Sequence, residues 1–135
     1  METMGINYAA VAVASLMNLV LGGLWYSPLL FAKVWERSAG MTEGQLKRFN
    51  PAKVLTLTLV LSWVICLNLA FFLAAPGTDW QWGMTAGFLA GFGWAAMIFI
   101  VISLFEQRSL AYMLVHAGYI TVYFTLAGLI IGAWQ

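Results

Sequence analysis

Charge is what this chain has least of. Of its 135 residues, 8% are charged and 63% are hydrophobic. A soluble domain carries roughly 25% charged residues because its surface faces water. Most of this surface must face something else. Histidine and cysteine each occur once. His116 has no second His, Cys or acid at ligand spacing, so no metal site is expected, and a lone thiol forms no intramolecular disulfide. Cys66 sits inside an apolar run and reads as a small buried hydrophobe. A Gly-rich phosphate loop, a nucleophile elbow and a paired-carboxylate site are all missing. The chain is therefore expected not to be an enzyme and to carry no cofactor; a haem with His116 as sole axial ligand has no other support. A net charge of +1 gives no basis for a nucleic-acid partner. Positive charge is also missing before the first apolar run, where Glu2 is the sole charged side chain ahead of Lys33. A cleavable secretory signal needs such charge, so that run reads as a retained anchor.

What is present is four long apolar stretches, at about 6–25, 54–75, 82–105 and 110–134, none containing Asp, Glu, Lys or Arg. About 20 helical residues at ~1.5 Å rise cover a ~30 Å hydrocarbon core. The runs are continuous rather than alternating, and a helix satisfies its own backbone in lipid, so helices are predicted over strands. The predicted fold is an all-α membrane protein: one domain over residues 1–135, a bundle of four transmembrane helices, with a short interfacial helix near residues 42–49.

Local signals support these limits. Pro28 disfavours helix at Ser27. Asn50-Pro51 suits a helix entry, with Asn50 as cap and Pro51 in the first turn. Thr42-Glu43-Gly44-Gln45 has capping-box spacing, as does Thr78-Asp79-Trp80-Gln81 ahead of the third span. The turn Glu106-Gln107-Arg108-Ser109 is so short that spans three and four must be antiparallel neighbours.

All six basic residues lie on one side. Lys33, Arg37, Lys47, Arg48 and Lys53 surround the first connection, and Arg108 lies in the third. The positive-inside rule puts both in the cytoplasm and both termini outside it. Trp80, Trp82 and Trp134 then mark the outer interface, and Trp25, Tyr26 and Trp35 the inner one.

In lipid, small residues let helix backbones approach closely. Ala10, Ala14, Asn18 and Gly22 form such a ridge in span one. Gly83, Gly87, Gly91 and Ala95 form one in span three, and Gly128 and Gly132 one in span four. They read as internal seams of the bundle or as a face for a parallel homo-oligomer, since every copy inserts the same way.

Polar side chains within the spans are costly and should face inward. Asn18 lies seven residues before Trp25, and His116 six residues past Leu110, so both are about 9–10 Å from the cytoplasmic boundary at ~1.5 Å per residue. A hydrogen bond between them is expected, with spans one and four adjacent, as a four-helix ring allows. This layer is either interhelical glue or a binding or proton-relay site. Tyr112, His116, Tyr119 and Tyr123 share one helix face, which either lines a cavity or packs on the Gly-rich face of span three. Trp25, Tyr26 and Tyr119 complete the candidate pocket around Asn18 and His116. Asn68, nearer the outer side, is expected to bond another helix. Glu106 sits at the negative end of a helix dipole and calls for compensation. Arg108 is the nearest candidate, with Lys33 and Arg37 as alternatives if the Trp25–Phe31 segment folds back beneath span three.

Three segments together resemble a known family. They are Asn18 with Gly22-Gly23-Leu24-Trp25-Tyr26-Ser27-Pro28-Leu29-Leu30-Phe31 and Trp35; Phe105-Glu106-Gln107-Arg108; and His116-Ala117-Gly118-Tyr119 with Gly128 and Gly132-Ala133-Trp134. The chain is similar, over nearly its whole length, to the small membrane proteins grouped as domain of unknown function 1761. The resemblance implies four spans and a mainly bacterial source, hence a multi-pass protein of the bacterial cytoplasmic membrane, and carries no substrate. The family's usual residue at position 116 is Asn, which favours a plain hydrogen-bonding role there over a proton relay.

Two functions from different classes stay open. One is a small transporter or permeability element with a polar pocket at Asn18, His116 and Tyr119. The other is a membrane interaction or assembly protein whose ridges bind itself or a larger partner.

The orientation has a direct check. A reporter active only in the cytoplasm should be silent when fused after Gln135 and active within residues 42–49. The reverse pattern would overturn the assignment.

Overall fold

The computed structural model describes residues 5–135; Glu2 lies outside them. Among the described residues every regular element is a helix. Helix α1 spans Tyr8–Trp25, α2 Ala32–Ala39, α3 Glu43–Lys47 and α4 Pro51–Phe72. The third span is continuous from Trp80 to Phe105. It is built from α5 (Trp80–Ala90), a π-helical segment (Gly91–Ala96) and α6 (Met97–Phe105). Helix α7 covers Leu110–Ala133. Four of these rods are long and apolar enough to cross a membrane: α1, α4, the third span and α7.

The helices begin where the sequence supplies a side-chain acceptor. Asn7, Asn50 and Ser109 each accept from the backbone N–H three residues on, and Pro51 opens α4 where its missing N–H costs nothing. Thr42 and Gln45 form the full capping box of α3. The third span is capped by Asp79, not Thr78: the Asp79 carboxylate accepts from Trp82 N–H at 2.8 Å, while the Thr78 hydroxyl turns back to the Ala75 carbonyl. Helix α2 had no strong signal in the sequence. Beyond Pro28 the chain turns, with Phe31 N–H bonded to the Trp25 carbonyl and Ala32 N–H to that of Ser27. This folds α2 back against α7, not beneath span three.

The rods do not close into a ring. They stand in the order α4, α1, α7, third span, with α4 and the third span making little contact. The tightest seam is between α5 and α7. A Cβ added at Gly83 or Gly87 would overlap the backbone of Gly128, Gly132 or Phe124, and one added at Gly128 would overlap that of Gly83. These glycines permit backbone-to-backbone contact, which in lipid supplies the packing that water cannot.

The ridge predicted to continue from Gly91 to Ala95 is displaced by one residue. Gly83, Gly87, Gly91 and then Ala96 are buried, while Ala95 is partly exposed. The cause is the π-helical segment: a wider turn brings the fifth residue, not the fourth, back to the same face. The remaining core lies between α1, α4 and α7, where Val11, Cys66, Leu73, Ala127 and Ile131 are fully enclosed.

The Gly seam predicts a sharp contrast in detergent thermal unfolding. Gly128→Ala forces the α5 and α7 backbones apart and should destabilise by about 1–3 kcal/mol. Gly93 has open space where a Cβ would stand, so Gly93→Ala should leave Tm unchanged or higher. Equal losses at both positions would contradict the seam.

Candidate functional site

Polar side chains gather where α1, α4 and α7 meet. Asn18 is 5% exposed and sits at the centre. Its amide N–H donates to Ser62 Oγ of α4 at 2.5 Å, and its carbonyl oxygen accepts from the Tyr119 hydroxyl of α7. One α1 side chain therefore ties both neighbouring helices. A step nearer the basic connections, the Tyr26 hydroxyl shares a 2.6 Å hydrogen bond with His116 Nδ1. Deeper in, Cys66 Sγ and the Tyr123 hydroxyl are 3.0 Å apart. The bonded pairs form a ladder leading from the basic end into the core.

Asn18 and His116 do not bond each other, contrary to the sequence reading. Equal residue counts from two helix ends give equal depth only if the ends are level. Here Trp25, at the end of α1, donates its Nε1–H to the carbonyl of Val115 at 2.9 Å. Val115 lies five residues into α7, so the first turn of α7 stands beyond the end of α1. Asn18 meets Tyr119, and His116 meets Tyr26 at the level above.

Above the ladder lies a cavity of about 660 Å³ between α1, α4, α7 and the first connection. Asn18, Tyr26, His116 and Tyr119 supply its polar floor. Gly22 and Gly23 leave room along α1, and Trp35, Leu46, Phe49 and Leu55 give it apolar walls. Among the described residues no Asp, Glu, Lys or Arg lines it. The Tyr26 ring packs on Trp35, His116 and Tyr119 at centroid distances of 5.1, 5.5 and 5.4 Å. Burial pushes the Tyr26 phenol well above its usual range, with the Tyr119 and Tyr112 phenols acting in the same direction. Tyr26 is thus a neutral phenol, able to donate or accept.

Of the residues singled out in the sequence, Asn18, Tyr26, His116 and Tyr119 come together on this cavity. Trp25 does not line it. Its ring packs on Phe31 and Tyr119, and its indole N–H anchors α1 to α7. The aromatic stripe divides: His116 and Tyr119 face the cavity, Tyr112 packs on Phe99 of α6, and Tyr123 is buried against α4.

Glu106 and Arg108 form an ion pair at 3.4 Å on the surface, the one ion pair among the described residues. Its side chains are 56% and 38% exposed, so it contributes roughly 0–1 kcal/mol. Arg108 also donates to the Ala39 carbonyl at 3.5 Å and covers the Tyr112 ring at 4.9 Å. These contacts link the end of α2 to the start of α7. Lys33 and Arg37 take no part in that pair.

Cys66 is buried in the core, as its apolar run implies, and also contacts the Tyr123 hydroxyl; Ser62 and Tyr123 matter more than the sequence reading allowed. A signal for them was available: Ser62 and Cys66 are one helical turn apart on α4, and Tyr119 and Tyr123 one turn apart on α7. Among the described residues no cluster of His, Cys, Asp or Glu could hold a metal ion.

No curated protein matches this chain, and no solved structure matches it. A family model does, covering residues 9–132 and therefore the four spans but for their outermost residues, Tyr8 and Ala133, and every floor residue of the cavity. The chain belongs to the family described as protein of unknown function, DUF1761.

Proposed function

We propose that this protein is a small transporter or permeability element that takes a small, uncharged, amphipathic molecule into the cavity above Asn18. The observation that carries this reading is the combination of a 660 Å³ cavity with a floor that is polar yet free of formal charge. Ligand pockets typically enclose about 300–1,000 Å³ and pair apolar walls with a few placed polar groups. A charged ligand here would meet no counter-charge, and an unpaired charge in such a setting is costly. A hydroxyl or amide group could exchange hydrogen bonds with Asn18, Tyr26, His116 and Tyr119, while an aromatic or alkyl body lies against Trp35, Leu46 and Phe49.

Two further features support the reading. The cavity lies beside the connection that, with the first turn of α4, carries five of the six basic residues, which the positive-inside rule assigns to the cytoplasm of a bacterial inner-membrane protein. Toward the opposite end, the space between α1, α4 and α7 is filled by Val11, Leu73, Ala127 and Ile131, each 1% exposed or less. In this reading the molecule enters from the cytoplasmic side or the adjoining leaflet, and the apolar plug must part for passage. No bond is made or broken.

The test is photolabelling of the purified protein in nanodiscs with a diazirine-bearing alkyl alcohol, mapped by mass spectrometry. Saturable adducts are expected on Tyr26, Trp35 or Tyr119. Gly23→Phe, placed where a Cβ meets nothing within 4 Å, should abolish them without lowering Tm. Non-saturable adducts spread over lipid-facing positions such as Leu16 and Val20, indifferent to Gly23→Phe, would refute the reading.

A further inference from the structure

Helix α4 has two faces. Ser62, Cys66, Leu69 and Leu73, at spacings of four, three and four, are buried against α1 and α7. On the opposite side a second series runs at the same kind of spacing: Leu57, Leu61, Val64, Asn68 and Phe71, at four, three, four and three. Every one of these five is exposed, with Leu57 at 51%, Leu61 at 62% and Val64 at 50%. Because α4 stands at the end of the row of helices, no other helix among the described residues covers this face.

Asn68 is the anomaly on it. It was expected to bond another helix and does not. Its amide N–H donates to the Val64 carbonyl of its own helix at 2.8 Å. The second N–H and the carbonyl oxygen have no partner among the described residues. Asn68 lies four residues inside the end of α4 at Phe72, about 6 Å at ~1.5 Å per residue, with a mostly apolar helix on either side. A carboxamide left open in hydrocarbon is costly.

A repeat of 3.5 residues with apolar seam positions and one Asn among them is the pattern of a two-stranded parallel coiled coil, in which a seam Asn fixes register and pairing. We infer that the Leu57–Phe71 face of α4 is the interface for a second copy of this chain. A second copy fits because a carboxamide is its own complement. Identical chains inserted the same way, related by a two-fold axis along the membrane normal, bring Asn68 beside Asn68 of the second copy, donor to acceptor in both directions. The interface lies on the side of α4 away from Ser62 and stands independently of any ligand in the cavity.

The test uses purified protein alone in defined lipid vesicles, on a Cys66→Ser background. Single cysteines at Leu61 and Val64 should form disulfide-linked dimers under copper phenanthroline, whereas cysteines at Val13 on α1 and Ile98 on α6 should not. Energy transfer between fluorescently labelled copies should show Asn68→Leu weakening association by about three- to twentyfold, the range spanned by interhelical polar contacts. Asn68 is exposed and its hydrogen bond stays within α4, so this variant should fold as the parent does. The inference is overturned by crosslinking spread evenly over exposed faces, by monomers at every protein-to-lipid ratio, or by association indifferent to Asn68→Leu.

Discussion

One side chain holds the middle of this protein together. Asn18 joins α1 to α4 through Ser62 and to α7 through Tyr119, and the three helices otherwise meet through apolar contacts that have no hydrophobic driving force in lipid. Its two bonds also use up the amide atoms that would be most costly to leave open inside a membrane. The cavity depends on it directly. Asn18 and the Tyr119 it positions form half of the polar floor, and the Tyr26–His116 pair rests against the Tyr119 ring.

The two halves of the row solve the same problem differently. Between α5 and α7, glycines remove side chains so that backbones touch. Between α1, α4 and α7, side chains remain and polar groups are paired within a sheath of apolar neighbours. The Gly seam itself leaves no space between the backbones it joins. The cavity with the polar floor lies beside α1 and α4, where the first connection, with α2 and α3, also supplies a wall.

The four spans, most of their caps and the small-residue ridges were legible in the sequence, because each depends on local chemistry: continuous apolar runs, Asn-Pro and capping-box spacings, glycines every fourth residue. The membership of the site was also largely legible, since a polar residue within an apolar run must face inward. Its pairing was not. Counting from helix ends ignores the offset that Trp25 imposes by anchoring to Val115, and so joined Asn18 to His116 instead of Tyr119. The shift from Ala95 to Ala96 was hidden because nothing in Gly91–Ala96 signals a π turn. Helix α2 was missed because its place is set by packing against α7, a tertiary effect. Asn68 ran against the inward rule altogether, which is what makes its outward face informative.

The central claim is that Asn18 acts as a joint whose two bonds are coupled to the helices they reach. A double-mutant cycle in detergent thermal unfolding, with Asn18→Leu, Tyr119→Phe and the pair together, tests it most directly. The account predicts that each single change costs roughly 0.6–2 kcal/mol, and that the double variant is hardly less stable than the worse single one, since both remove the same bond. Strictly additive losses would mean that Asn18 and Tyr119 act independently, and would contradict the account.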